Sequence, residues 1–176
     1  MRYEEKDGDS SVTLRSLRRS DAKDVYDNIN DKDIVLWTSN IPYPYPKDGA
    51  EKWIAKAHRE MKSEKSYAFA IAFDDKLIGV ISLMNVDKKN QKAEIGYWLG
   101  KKFWGRGFMT EAVAKVLEFG FQTLKLHRID ASLYSGNIAS QKVLMKSGFV
   151  LEGTLRESKK IDNKYHDELW FGILNP

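Results

Sequence analysis

The stretch Tyr97–Leu117, YWLGKKFWGRGFMTEAVAKVL, decides how this chain is read. A β-rich run ends at Leu99, a short segment with two glycines follows, and a helical pattern begins at once. In that helix Met109, Val113, Val116, Leu117, Phe121 and Leu124 recur at the spacing of one buried face. Gly105 and Gly107 let the backbone turn tightly and present successive N–H groups to one side. The helix start adds unpaired donors and partial positive charge. Lys101, Lys102 and Arg106 stand alongside with full charges. The arrangement reads as an anion cradle suited to a pyrophosphate. A GxG pair taken alone reads first as a plain strand-to-helix turn, so the surroundings have to decide.

Upstream, Val12 to Leu17 alternates as a strand, and Ser20 is placed to cap a helix carrying Ala22, Val25, Tyr26 and Ile29. Trp37 to Pro46 (WTSNIPYPYP) is too rich in proline for a helix and is expected to be an ordered loop. A second helix is predicted from about Asp48 to Lys62. YAFAIAF, Tyr67–Phe73, is apolar on both faces, as in a strand covered on both sides. Asp74, Asp75 and Lys76 form a turn into Leu77–Val86, and a third strand covers Ala93–Leu99. After the central helix come a strand at Arg128–Tyr134 and a short helix at Asn137–Ser147, closed by Gly148 at a left-handed C-cap. Phe149–Ser158 and Tyr165–Ile173 form a final antiparallel hairpin. The order β-α-α-β-β-β-α-β-α-β-β implies an α+β layered fold: a mixed, mainly antiparallel central sheet of six to seven strands flanked by about four helices. Residues 1–176 are expected to form one domain, with 1–11 a flexible N-terminus.

Composition narrows the function. The 176 residues contain no Cys, which removes disulfide scaffolds, thiolate metal sites and a cysteine nucleophile. Three His, none paired on one helix face, argue against a His metal site. No apolar run approaches the ~20 residues of a bilayer span, and the polar start MRYEEKDGDSS lacks the apolar core of a signal peptide. A soluble, cytoplasmic protein is expected. The formal charge is +4, and Asp87–Arg106, with six basic and two acidic residues, holds all of that excess. A nucleic-acid binder would spread a larger excess along a face, so no direct nucleic-acid contact is expected.

Three kinds of pyrophosphate site compete for the cradle. The P-loop string GxxxxGK[ST] is absent, and a dinucleotide fingerprint fails because Thr110 stands where its third glycine belongs and the motif follows a mid-chain hairpin. The third fits. Lys102-x-x-Gly105-x-Gly107, after a strand and before a helix, resembles the acyl-CoA signature [QR]-x-x-G-x-[GA] of the GNAT (Gcn5-related N-acetyltransferase) superfamily, with Lys102 in place of Gln or Arg. Leu126–Gly153, LHRIDASLYSGNIASQKVLMKSGFVLEG, resembles that family's strand, Asn-x-x-[Ser/Ala] turn and helix ending in Gly-Phe. EIGYWLG, FWGRGFMTEA and N-x-A-S before Gly-Phe resemble the RimJ/RimL branch of ribosomal-protein N-terminal acetyltransferases.

The resemblance implies an acetyl-CoA-dependent N-acetyltransferase without a metal. The strands ending near Leu99 and Tyr134 would be parallel neighbours that splay apart and hold the pantetheine arm beside the backbone of Tyr97, Trp98 and Leu99. N–H groups from Phe103, Trp104, Gly105, Arg106, Gly107 and Phe108, with Thr110 and Lys102 nearby, would hold the pyrophosphate. Asn137 would hold the pantetheine or thioester end; a helix N-cap or turn residue is the commoner role for that type in that place, and the two can coexist. Trp98 and Trp104 are expected to pack. A primary amine would attack the thioester directly, with Glu94 as base, by contact or through water, and with a backbone N–H near Leu99 for the oxyanion. For Glu94 an ion pair with a nearby lysine is the equal alternative. The family's Tyr acid is Leu144 here; Ser140 stands where the ribosomal-protein branch has a hydroxyl, and Tyr134 is a second candidate beside a strand-packing role.

The acceptor is read least directly. Trp37, Tyr43 and Tyr45 stand where the family builds its acceptor wall; capping of the core is the alternative for these rings and the preferred reading for Trp37. An α-amine, with a pKa of roughly 7.7–8.0, needs less help from a base than a lysine-type amine at about 10.4. A protein N-terminus, a ribosomal protein among the options, is therefore the expected acceptor. A polyamine, amino acid or aminoglycoside acceptor is the alternative, and a non-catalytic acyl-CoA sensor a further one. The acidic residues of the last hairpin, Asp162, Asp167 and Glu168, are interspersed with basic ones, which disfavours a polyamine pocket. A monomer or homodimer is expected.

Overall fold

The structure is a computed structural model, and residues 11–38, 41–161 and 163–176 are described. Its strands are β1 (Thr13–Ser16), β2 (Tyr67–Phe73), β3 (Lys76–Asp87), β4 (Lys92–Leu99), β5 (Arg128–Tyr134), β6 (Val150–Ile161) and β7 (Lys164–Leu174). Its helices are α1 (Ala22–Ile29), α2 (Lys32–Val35), α3 (Gly49–Lys62), α4 (Phe108–Glu118) and α5 (Ile138–Lys146). One seven-stranded sheet runs β1-β2-β3-β4-β5-β7-β6. Each neighbouring pair is antiparallel except β4 and β5, which run parallel. The mixed, mainly antiparallel sheet expected from the sequence is the one found.

Alternation in β2 explains the two layers. Phe69, Ile71 and Phe73 point to the cluster with Phe108, Val113 and Val116 of α4, while Ala68 and Ala70 face Val25, Ile29 and Ile54 of α1 and α3. Large residues on one side and alanines on the other match one helix face to two closely set helices. Burying a side chain such as Ile71 or Ile81, each 0% exposed, contributes roughly 1.5–3 kcal/mol. α5 adds Leu144 to the α4 side. Over β5, β7 and β6 the opposite face carries no helix of these clusters, and β6 is exposed along nearly all its length.

Three local expectations are corrected. Ser20 does not cap α1: residues Arg19–Asp21 form a 3-10 turn, and Asp21 accepts the Arg18 amide at 2.7 Å while bonding Arg15. A fifth, four-residue helix, α2, was not anticipated; Asp31 caps it by accepting from the Asp33 amide at 2.8 Å. The central helix does not run regularly to Leu124, because Phe119–Thr123 widens into a π turn. There Gly120 lies so close to Ile129 that an added Cβ would stand 2.8 Å from its Cδ1. The Gly148 cap is as expected: φ is +91°, and the Gly148 and Phe149 amides return to Met145 and Leu144 at 3.2 and 3.1 Å. The flexibility expected of residues 1–11 falls, but for Ser11, outside the described residues.

Candidate active site

β4 and β5 pair over three residues, Lys92 with Arg128, Ala93 with Ile129 and Glu94 with Asp130. From Ile95 and Ala131 onward the facing edges separate, while β3 stays bonded to β4 as far as Leu99 and β7 to β5 as far as Tyr134. The result is a V-shaped gap inside the sheet, closed at Glu94 and open toward Leu99 and Tyr134. Tyr97 crosses it on the α4 side: its hydroxyl donates to the Ser140 carbonyl of α5 at 3.5 Å. Burial pushes the Tyr97 phenol up to about 12, against a lesser lowering from that hydrogen bond.

The cradle lies directly beyond the open end of β4. A 3-10 turn, Lys101–Phe103, uses the Phe103 and Trp104 amides, which donate to Gly100 and Lys101 at 2.9 and 3.1 Å. Those two donors, expected to serve an anion, are therefore engaged elsewhere. Among the described residues no acceptor takes the amides of Gly105, Arg106, Gly107, Phe108, Met109 and Thr110. Gly105 and Gly107 have φ of +75° and +83°, the left-handed region that favours glycine. A Cβ at either would meet nothing within 4 Å, so the cradle is open.

The charges are less directly aimed than the sequence suggests. Lys101 pairs with Asp33 of α2, whose hydrogen bond raises its pKa. The Lys102 ammonium stands 5.0 Å from the Phe103 ring centre, and the Arg106 guanidinium lies over Phe108 and Phe73 at 4.5 and 5.2 Å. Trp104, expected to pack, is 43% exposed, and its indole N–H donates to the Leu99 carbonyl at 2.7 Å. That carbonyl, one of the groups expected to hold a pantetheine arm, is thus already bonded. Trp98 does pack, at the edge of the α1 and α3 cluster.

Glu94 is half-buried on the same face as Gly96 and Trp98 and accepts from the Asn85 amide group at 3.1 Å; among the described residues no lysine pairs with it. It sits at the closed end, five residues from Leu99 or about 16 Å at strand rise. Ser140 and Tyr134 lie at the open end instead. Ser140 is half-buried in the first turn of α5, and Tyr134 is buried as the last residue of β5. The three proposed acid and base groups are therefore spread along the gap, and reach between them calls for a water relay. Asn137 is the N-cap of α5, its side chain accepting from the Ser140 amide at 3.1 Å.

The aromatic loop divides. Trp37 joins neither core cluster of the described residues; it arches over Gly136 in the β5–α5 turn, where a Cβ would stand 2.8 Å from its ring. Tyr43 is exposed, with the Lys32 ammonium 5.5 Å from its ring. Tyr45, read as a wall residue, is instead buried in the α1 and α3 core beside Tyr26. One supporting residue went unread. Asn28 on α1 donates to the Leu77 carbonyl at 3.1 Å and packs on Gly100, buttressing the turn into the cradle. A lone polar side chain at a helix position otherwise facing the core was its only signal.

Residues 11–150 match the acetyltransferase (GNAT) domain family. The chain is 41% identical over 135 residues, 75% of each chain, to the "Probable N-acetyltransferase YjcK" of Bacillus subtilis. It is 34% identical over 109 residues, 61% of each, to the ribosomal-protein-serine acetyltransferase of Escherichia coli. Among solved structures, Mycobacterium smegmatis RimJ in complex with CoA-disulfide superposes with a TM-score of 0.84 at 26% identity, covering 93% of this chain and 81% of that one. Spermidine N-acetyltransferase of Vibrio cholerae, in complex with CoA and spermine, gives 0.82 at 25%, covering 95% and 97%. No helix among the described residues is long and apolar enough to cross a membrane. The splayed parallel strands, the open glycine cradle and these matches agree: the chain belongs to the GNAT acetyltransferase family.

Proposed function

We propose that this protein transfers the acetyl group of acetyl-CoA to the α-amine of a protein or peptide N-terminus, a ribosomal protein being the first candidate, in the cytoplasm. The observation that carries the reading is the run of six unbonded amides, Gly105 to Thr110, at the head of α4, opening beside the unpaired edges of β4 and β5. Such amides suit a diphosphate, and the parted strands offer backbone groups to an extended arm. RimJ and the ribosomal-protein-serine enzyme support the acceptor class. The amine nitrogen attacks the acetyl carbonyl carbon, the C–N bond forms, and the C–S bond breaks. The nitrogen loses a proton toward Glu94 through water, and the thiolate takes one with Ser140 or Tyr134 as the hydroxyl at hand. With an α-amine already partly neutral at pH 7, positioning supplies much of the rate.

Release of free CoA thiol tests this with a panel of short peptides differing in the first residue, set against spermidine and free lysine. Peptides should give the highest kcat/KM. A preference for spermidine would move the acceptor to the small amines, and binding of acetyl-CoA without thiol release in the presence of any amine would leave an acyl-CoA sensor.

A further inference from the structure

Neither the cradle nor Glu94 makes use of a second group of residues, where β5 ends. Glu168 on β7 is 8% exposed and lies directly opposite Tyr134. Leu169 and Phe171 belong to the α4 side, so alternation puts Glu168 on the opposite face, the one shared by Glu94 and Trp98. Its strand is one spacing, about 5 Å, from β5, whose other edge borders the open gap. The loop after α2 comes down on the same turn, where Trp37 covers Gly136.

The partners of Glu168 come from an irregular piece of β6. Leu155 pairs with Glu168 and Lys159 with His166, so β6 carries two more residues than β7 over this interval. Glu157, inside the bulge, has φ +50°, and its amide donates to Asp167 Oδ1 at 2.9 Å. The bulge bends the strand and turns two side chains onto the carboxylate. Ser158 Oγ donates to Oε2 at 3.0 Å, and Lys159 Nζ stands 3.7 Å from Oε1. A good charge-assisted hydrogen bond would be about 2.7–2.9 Å. A carboxylate this withdrawn from water calls for a close cationic partner, yet the one it has is loosely held, on a side chain 42% exposed.

The geometry points to Glu168 as the group that receives the protonated amine of the acceptor, with Lys159 holding that place until the acceptor arrives. This rests on the acetyl-transfer reading above. A tethered ammonium and a substrate ammonium are chemically equivalent guests, and Lys159 loses little by returning to water. A single buried carboxylate flanked by basic residues suits one amine, as on a peptide, better than a polyamine.

Two measurements on the full chain test it. In lysine-labelled protein saturated with CoA, a peptide amide with a free N-terminus should shift the Lys159 Nζ resonance, and the same peptide N-acetylated should not. A resonance unmoved by the free peptide, or moved equally by both, overturns the proposal. In kinetics, Glu168→Gln should raise the peptide KM about tenfold with the acetyl-CoA KM unchanged, and Lys159→Met should lower the peptide KM about threefold. An unchanged peptide KM in Glu168→Gln, or a raised one in Lys159→Met, overturns it too. If Lys159 moves but no amine is acetylated, the transfer reading fails and the ammonium site stands. If transfer proceeds with Lys159 unmoved, the site alone fails.

Discussion

The two edges of β4 meet different fates. Toward β3 the strand is bonded from Lys92 to Leu99, interrupted once by a bulge; toward β5 it is bonded for three residues and then left open. Both edges belong to one backbone with one set of side chains, so the difference lies in the neighbour. β3 is held against β4 by a core on both faces, whereas β5 is drawn the other way by seven pairings with β7. Each backbone bond not made forgoes about 0.5–1.5 kcal/mol, and the closed half of the sheet offsets that loss. The lesson is a division of labour: substitutions on the β3 side should move stability, and those around the gap should move ligand binding and rate.

The largest expected effect is at the cradle. Gly107→Val puts a β-branched residue at φ +83°, where the left-handed conformation is strongly disfavoured. The amides it directs would turn away, and acetyl-CoA affinity should fall about a hundredfold, roughly 2.7 kcal/mol, by isothermal titration. Affinity near the parent value would mean that the cradle is a mere turn. Next comes the closed half. Burial alone would raise the Asp21 pKa, but the hydrogen bonds from Arg15 and the Arg18 amide outweigh it and hold the carboxyl below its ordinary value. Its stabilisation is therefore full above the unfolded value, about 3.9, and is lost as pH falls through the lower folded one. Asp21→Asn should lose about 2 kcal/mol at pH 7, with the gap to the parent closing below about pH 4, by denaturant melts. Acetyl-CoA affinity should be unaffected; a matching loss of affinity would break the division proposed here. Third is Glu94→Gln, which should slow turnover about tenfold at pH 7 and raise the pH at which activity appears. An unchanged pH profile would remove Glu94 from the chemistry.

Much of the closed half was legible because local rules and tertiary packing agree there. The alternation of Tyr67–Phe73 and the glycine after Lys146-Ser147 each mark one structural solution, and both were met. Misreadings arose where a distant partner overrode the local signal. Ser20 is a good cap by type, but Arg15 claims Asp21 and the chain turns a residue later. Tyr43 and Tyr45 are alike in sequence, and only the helices above them determine that one is exposed and the other buried. The cradle was legible as a motif, since left-handed glycines before a helix leave few alternatives. Which of its amides stay free was not, because that depends on the turn taken by Lys101–Phe103. Glu168 could be seen in the sequence only as one charge among several, its burial being made by the pairing of β5, β6 and β7.

The smallest expected effect is at Tyr97, whose side chain bridges the two sides of the gap. Tyr97→Phe keeps the ring and removes a hydroxyl whose bond to Ser140 is long, at 3.5 Å, so stability should fall by no more than about 0.5–1 kcal/mol. If that bond sets the width of the gap, kcat should drop about twofold to threefold while acetyl-CoA affinity holds, because the cradle is untouched. The phenol is pushed up to about 12 by burial, so it stays protonated across the working range and its removal should leave the shape of the pH profile unchanged. A displaced alkaline limb would instead make Tyr97 a group that titrates during turnover, a second one on β4 beside Glu94.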